Sequence, residues 1–128
     1  MADTEKITIN ISAVDLGRID LLADEGFYSS RTDFVRTAIR KELDVHGEEV
    51  KQSVSRRASV LGAMVYTRSM LEKCLKRGQK LEIAVVGAVY LADDVTPELA
   101  LKTIKRLKVF GVLRASQAVK EALADRIL

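Results

Sequence analysis

The chain has 128 residues, 48% of them apolar, with no Trp, one Pro and one Cys, which suits one ordinary domain or two very small ones. No apolar run approaches the roughly 18 residues a membrane span needs, and Met1-Ala2-Asp3-Thr4-Glu5-Lys6 lacks the basic-then-apolar order of a secretory leader. A lone Cys74 cannot close an internal disulfide, and together these features lead us to expect a cytoplasmic protein without a membrane partner. The net charge of +3 is split: residues 1–46 carry 6 Lys/Arg against 9 Asp/Glu, and residues 47–128 carry 15 against 9. Bulk charge therefore gives no support to nucleic-acid binding by the first segment, and local placement of charge has to carry any such reading.

In chain order, Ile7, Ile9 and Ile11 alternate strictly with Lys6, Thr8 and Asn10. Period two with β-branched residues predicts a half-buried strand. From Ala13 to Glu25 the apolar residues Val14, Leu16, Ile19, Leu22 and Ala23 recur at helical spacing, with Ser12 as N-cap and Gly26 as the stop. A second helix is predicted from the Ser30/Asp33 capping pair to about Val45, with Phe34, Val35, Ala38, Ile39 and Leu43 as its apolar stripe. Residues 47–59 are polar and read as a partly helical linker.

The remainder contains an internal repeat. Val60-Leu61-Gly62-Ala63-Met64-Val65-Tyr66 matches Val85-Val86-Gly87-Ala88-Val89-Tyr90-Leu91, and Val109-Phe110-Gly111-Val112-Leu113 follows at similar spacing. Each strand-like run precedes a helix-like one, around residues 69–77, 97–107 and 116–127; the second opens with Thr96 as N-cap and Pro97 at the first helical position. Strand–helix repeats of this length predict a small solenoid-like α/β domain over residues 60–128. The first unit stays ambiguous, because Leu61, Met64, Val65, Leu71 and Leu75 also fit one long helix.

One strand and two helices in about 45 residues bury too little surface to stand alone, and a single strand leaves both edges unpaired. The simplest remedy is a second copy: two strands pair antiparallel, four helices pack beneath, and Lys6, Thr8 and Asn10 of both chains face outward. A two-stranded ribbon fits the major groove of B-DNA, where Lys donates to guanine, Asn pairs with adenine, and Thr is small and bifunctional.

Lys6-Ile7-Thr8-Ile9-Asn10-Ile11 and Gly26-Phe27-Tyr28-Ser29-Ser30-Arg31-Thr32-Asp33-Phe34-Val35-Arg36-Thr37-Ala38-Ile39-Arg40 resemble the ribbon-helix-helix superfamily, in its CopG-like branch with MetJ and Arc as relatives. The resemblance implies base reading by Lys6, Thr8 and Asn10. It also implies a phosphate clamp at Ser29, Ser30 and Arg31, where a helix N-terminus offers free N–H groups. Many relatives carry two or more basic residues around the strand; this chain has only Lys6, flanked by Glu5. The resemblance covers about a third of the chain, and residues 60–128 are similar to C-terminal extensions on some bacterial members.

Other candidates have plainer readings. Arg36 and Arg40 suit either phosphate contact or an ion pair with Glu25 or Asp33. Arg56-Arg57-Ala58-Ser59 reads as linker, Asp93-Asp94 as a turn, His46 as a helix end and Cys74 as a core thiol. One His, one Cys and no Gly-rich phosphate loop compose no catalytic set, so neither enzyme activity nor a cofactor or metal is expected.

The sequence therefore predicts an α+β protein in three parts: a dimeric reader of double-stranded DNA over residues 1–46, a linker over 47–59, and an oligomerisation or partner-binding domain over 60–128. The expected function is a transcriptional regulator, most simply a repressor, in the cytoplasm at the nucleoid. An autoregulating antitoxin and an architectural, partition or self-assembling protein are the alternatives. The operator and the regulated genes cannot be read from the residues.

Overall fold

The computed structural model describes residues 4–128, and the chain divides at Glu48/Glu49 into two compact units. Met1–Asp3, part of the stretch read for a leader, lie outside the described residues.

The first unit holds α1 (Ala13–Asp24) and α2 (Arg31–Val45). Both begin where a side chain can satisfy an orphan backbone N–H: the Ser12 hydroxyl accepts from Asp15 N–H, and the Ser30 hydroxyl from Asp33 N–H, each at 3.1 Å. At the end of α1, Gly26 turns with φ +87°, Phe27 N–H donates to the Leu22 carbonyl, and Gly26 N–H donates to that of Ala23. This pair of bonds satisfies carbonyls a helix end otherwise leaves open. Residues 4–12 belong to no helix or strand in the single chain. The predicted strand has no ladder here, because a ribbon strand requires a second strand to bond with.

The segment read as linker is largely a helix, α3 (Gly47–Arg56). Its exit repeats the hydrogen-bond pattern of α1, with Ala58 in the left-handed region at φ 49° and Ser59 N–H donating to the Val54 carbonyl.

The second unit then alternates β1 (Val60–Tyr66), α4 (Arg68–Lys76), β2 (Leu81–Leu91), α5 (Pro97–Thr103), β3 (Ile104–Arg114) and α6 (Gln117–Ala122). The ambiguous first segment is thus a strand followed by a helix; Thr67 ends the apolar run and caps α4, its hydroxyl accepting from Met70 N–H. The strands form one parallel sheet in the order β1-β2-β3. Val60, Val85 and Val109 stand side by side, as do Gly62, Gly87 and Gly111, so the sequence repeat is also the register of the sheet. Two strands begin earlier than the apolar runs suggest, because Glu82, Lys105 and Arg106 are exposed residues inside ordered strands. The α5 helix is correspondingly short, ending at Thr103 where β3 starts.

The core lies in this unit. Leu71 from α4, Val85 and Val89 from β2, Ala100 from α5, Ile104 and Leu107 from β3, Val119 from α6 and Leu123 are essentially inaccessible. Buried Thr103 donates to the Leu99 carbonyl at 2.7 Å, which removes the cost of an unpaired hydroxyl. The Arg126 Nη1 donates to the Leu101 and Ile104 carbonyls, tying the end of the chain to the end of α5. The same end of the chain covers part of the outer edge of β3: Leu107 N–H donates to the Arg126 carbonyl and Leu128 N–H to that of Leu107.

Candidate nucleic-acid interface

No residue of α1 or α2 is buried. Ile7 is 73% exposed, Ile9 66% and Ile39 46%, values that no apolar residue of a finished core would show. Ile7, Ile9 and Ile11 instead line a concave apolar groove of about 820 Å³ together with Leu16 and Ile19 of α1 and Phe34, Val35, Ala38 and Ile39 of α2. The alternation of the N-terminal segment is therefore physical: its isoleucines turn toward the helices. Phe34 is fixed from the side by Tyr28, whose ring meets it edge-on at 5.0 Å.

Lys6, Thr8 and Asn10 are exposed. Lys6 and Thr8 stand away from the groove, whereas Asn10 lines it beside Ile9 and Ile11.

At the start of α2, Ser30 is the N-cap, and the Asp33 carboxylate returns the contact by accepting from Ser29 N–H at 2.9 Å. The capping pair thus closes on both sides, and Ser29 N–H already has an acceptor. Arg31 also has one: it faces Asp20 of α1 with two hydrogen bonds. This contact lowers the Asp20 pKa and raises that of Arg31. Asp20 lies eleven positions before Arg31, a spacing with no local rule, so sequence reasoning did not find it. Arg36 and Arg40 instead lie on an exposed polar strip of α2 with Thr37, Lys41 and Asp44; neither is bridged to Glu25 or Asp33 among the described residues. No group of three or more metal-ligating residues occurs among the described residues.

A helix pair with an exposed apolar groove, preceded by an alternating segment and opened by a capped N-terminus, defines an incomplete dimer-forming module of the ribbon-helix-helix class. The chain belongs to the ribbon-helix-helix transcriptional regulator family, whose model matches residues 2–120. No curated protein and no solved structure matches it. The match extends well beyond α2 into β3 and α6, so the second unit is part of what the family model describes. Regulators of this family bind DNA, generally as dimers. No described helix is long and apolar enough to cross a membrane.

Proposed function

We propose that this protein is a sequence-specific transcriptional repressor that binds double-stranded DNA as a homodimer. The two copies pair residues 6–11 as an antiparallel ribbon that enters the major groove, with Lys6, Thr8 and Asn10 at the bases and Ser29, Ser30 and Arg31 at the phosphates. The carrying observation is the groove lined by Ile7, Ile9, Ile11, Phe34 and Ile39 in a unit whose helices bury no residue. Burying apolar area yields about 25 cal/mol per Å², so a second copy closing that groove supplies the core the single chain lacks.

Residues 1–46 act as the reader, and 60–128 as a module that associates dimers. An antitoxin extension generally gains its order from the toxin it covers, whereas the second unit here carries its own core, which favours the regulator reading.

Binding-site selection with the full-length protein tests the proposal, followed by sedimentation of the complex on the enriched site. An enriched palindromic site bound by two chains is expected. Failure to enrich any sequence, with binding equal on all duplexes, would replace the repressor with a nonspecific DNA-coating protein.

A further inference from the structure

The two edges of the parallel sheet are built differently. The outer edge of β3 carries Lys105, Arg106, Lys108 and Arg114, and its lower part is already bonded to the end of the chain at Leu107. Charged side chains and local cover are the usual means of keeping an edge from pairing with another strand. The outer edge of β1 has neither. Its seven residues Val60–Tyr66 include no charge and no proline, and Val60, Leu61 and Val65 are 47%, 65% and 48% exposed.

The three in-register glycines say what kind of neighbour that edge takes. Gly87 and Gly111 have φ of +138° and +127°, and a Cβ at either would lie 2.0 Å from the carbonyl oxygen of the glycine on the preceding strand. They are glycines because that oxygen fills the space. Gly62 holds the same conformation, φ +139°, and nothing lies within 4 Å of its Cβ position. It has the shape of a strand with a neighbour while standing at a free edge. The missing element is a parallel strand bearing a glycine at the same level. The chain has no fourth such strand among its described residues, but a second copy has one in β3, whose Gly111 carbonyl lies beyond the part of the edge covered at Leu107.

We propose that the β1 edge binds the β3 edge of a second copy of this chain, parallel and in the register that sets Gly111 of one copy beside Gly62 of the other. This rests on the reading of residues 60–128 as the associating module and names its contact. The pairing is head-to-tail, so each copy offers one free edge after using the other, and assembly is open-ended rather than closed at two.

The register predicts a cross-link. Ala63 pairs with Ala88, and Ala88 with Val112, so Ala63 of one copy should face Val112 of the next. Within one chain those residues lie two strands apart, roughly 9–10 Å at the usual strand spacing, too far for a disulfide. With Cys74→Ser as background, full-length A63C/V112C should give a ladder of disulfide-linked multimers on oxidation, and neither single variant should. A63C alone linking into dimers would overturn the proposal in favour of antiparallel β1–β1 pairing. Assemblies larger than dimers in sedimentation, without any 63–112 link, would overturn this contact while leaving the association reading standing. Dimers only, at every concentration tested, would overturn both.

Discussion

Asp20 on α1 and Arg31 at the first position of α2 hold each other through two hydrogen bonds: Arg31 Nε donates to Oδ1 at 2.8 Å, and Nη2 to Oδ2 at 2.9 Å. Both side chains are substantially exposed, so the pair adds little to stability. Its interest lies in position. The guanidinium sits at a helix N-terminus proposed to meet a phosphate, and a carboxylate of the same chain already occupies it. Binding DNA through Arg31 then means exchanging Asp20 for phosphate. Asp20→Asn should release both Arg31 side chains of a dimer, tighten binding to all duplexes, and steepen the salt dependence by about 0.9 per phosphate gained, roughly 2 per dimer. Titrations at several salt concentrations check this. An unchanged slope would show that Arg31 serves only to join the two helices.

The same contact sets a pH dependence. The hydrogen bond from Arg31 holds the Asp20 carboxyl below its ordinary value, so the unfolded chain takes up this proton before the folded one does. The contribution is complete above the unfolded pKa, about 3.9, and is lost as pH falls through the lower folded value. Denaturant midpoints of wild type and Asp20→Asn should differ slightly near neutrality and converge in acid. A difference that widens as pH falls would reverse the sign and reject the assignment.

The groove makes a register prediction. Ile9 lines it, so Ile9→Lys should place a charge in the dimer core and abolish dimer formation. Asn10→Ala should keep the dimer and cost on the order of 1–3 kcal/mol per half-site at one base position. Asn10 also lines the groove, which makes the pair of variants decisive. If Asn10→Ala lost the dimer while Ile9→Lys kept it, the outward face would be the isoleucine face. Circular dichroism with sedimentation separates these outcomes.

What was legible in the sequence was local or periodic. Ser12, Gly26, Ser30 and Asp33 mark helix ends through contacts a few residues long, and the structure places caps at each of them. The repeat linking Val60, Val85 and Val109 was legible because in-register parallel strands repeat their side-chain environment. Long-range or polar features stayed hidden. The strand starts at Leu81 and Ile104 are masked by Glu82, Lys105 and Arg106, whose side chains face outward while their backbones stay in the sheet. The α3 helix has no capping side chain at Gly47 to announce it. Gly62, Gly87 and Gly111 were visible as part of a repeat, but their role as carbonyl clearances needs the neighbouring strand.

The second unit has its own test. Arg126 Nη1 donates to two carbonyls at the end of α5, from Leu101 and Ile104, where a cation also complements the helix dipole. Arg126→Met keeps the aliphatic stem but leaves those carbonyls without this donor, and should cost about 1.5–3 kcal/mol by the usual worth of a charged hydrogen bond. Thermal unfolding should show the loss, while binding to an isolated DNA site stays unchanged if residues 1–46 alone read it. Weakened binding at that site would show that the two units are energetically coupled.

The charge split leads to the last prediction. Residues 47–128 carry the excess of positive charge, including Arg56 and Arg57, and a basic stretch beside a DNA reader invites the view that it grips phosphate. Both arginines already have partners: Arg56 donates to the Ser53 hydroxyl at 3.1 Å, and the Arg57 guanidinium lies 5.3 Å from the centre of the Phe110 ring, which Lys108 also approaches at 4.9 Å. A cation over an aromatic ring gains from the ring's negative face, and moving Arg57 to a phosphate would give that up. Phosphate contact should then come from the reader alone, with a shallow salt slope of roughly −3 to −5 for a few neutralised phosphates per dimer. Arg56→Ala/Arg57→Ala should leave the slope at one isolated site unchanged. If the double variant instead lowered the slope by about 2 or more, as the loss of two to four phosphate contacts per dimer would require, the second unit would be part of the DNA-binding surface, and its role would extend beyond joining copies of the chain.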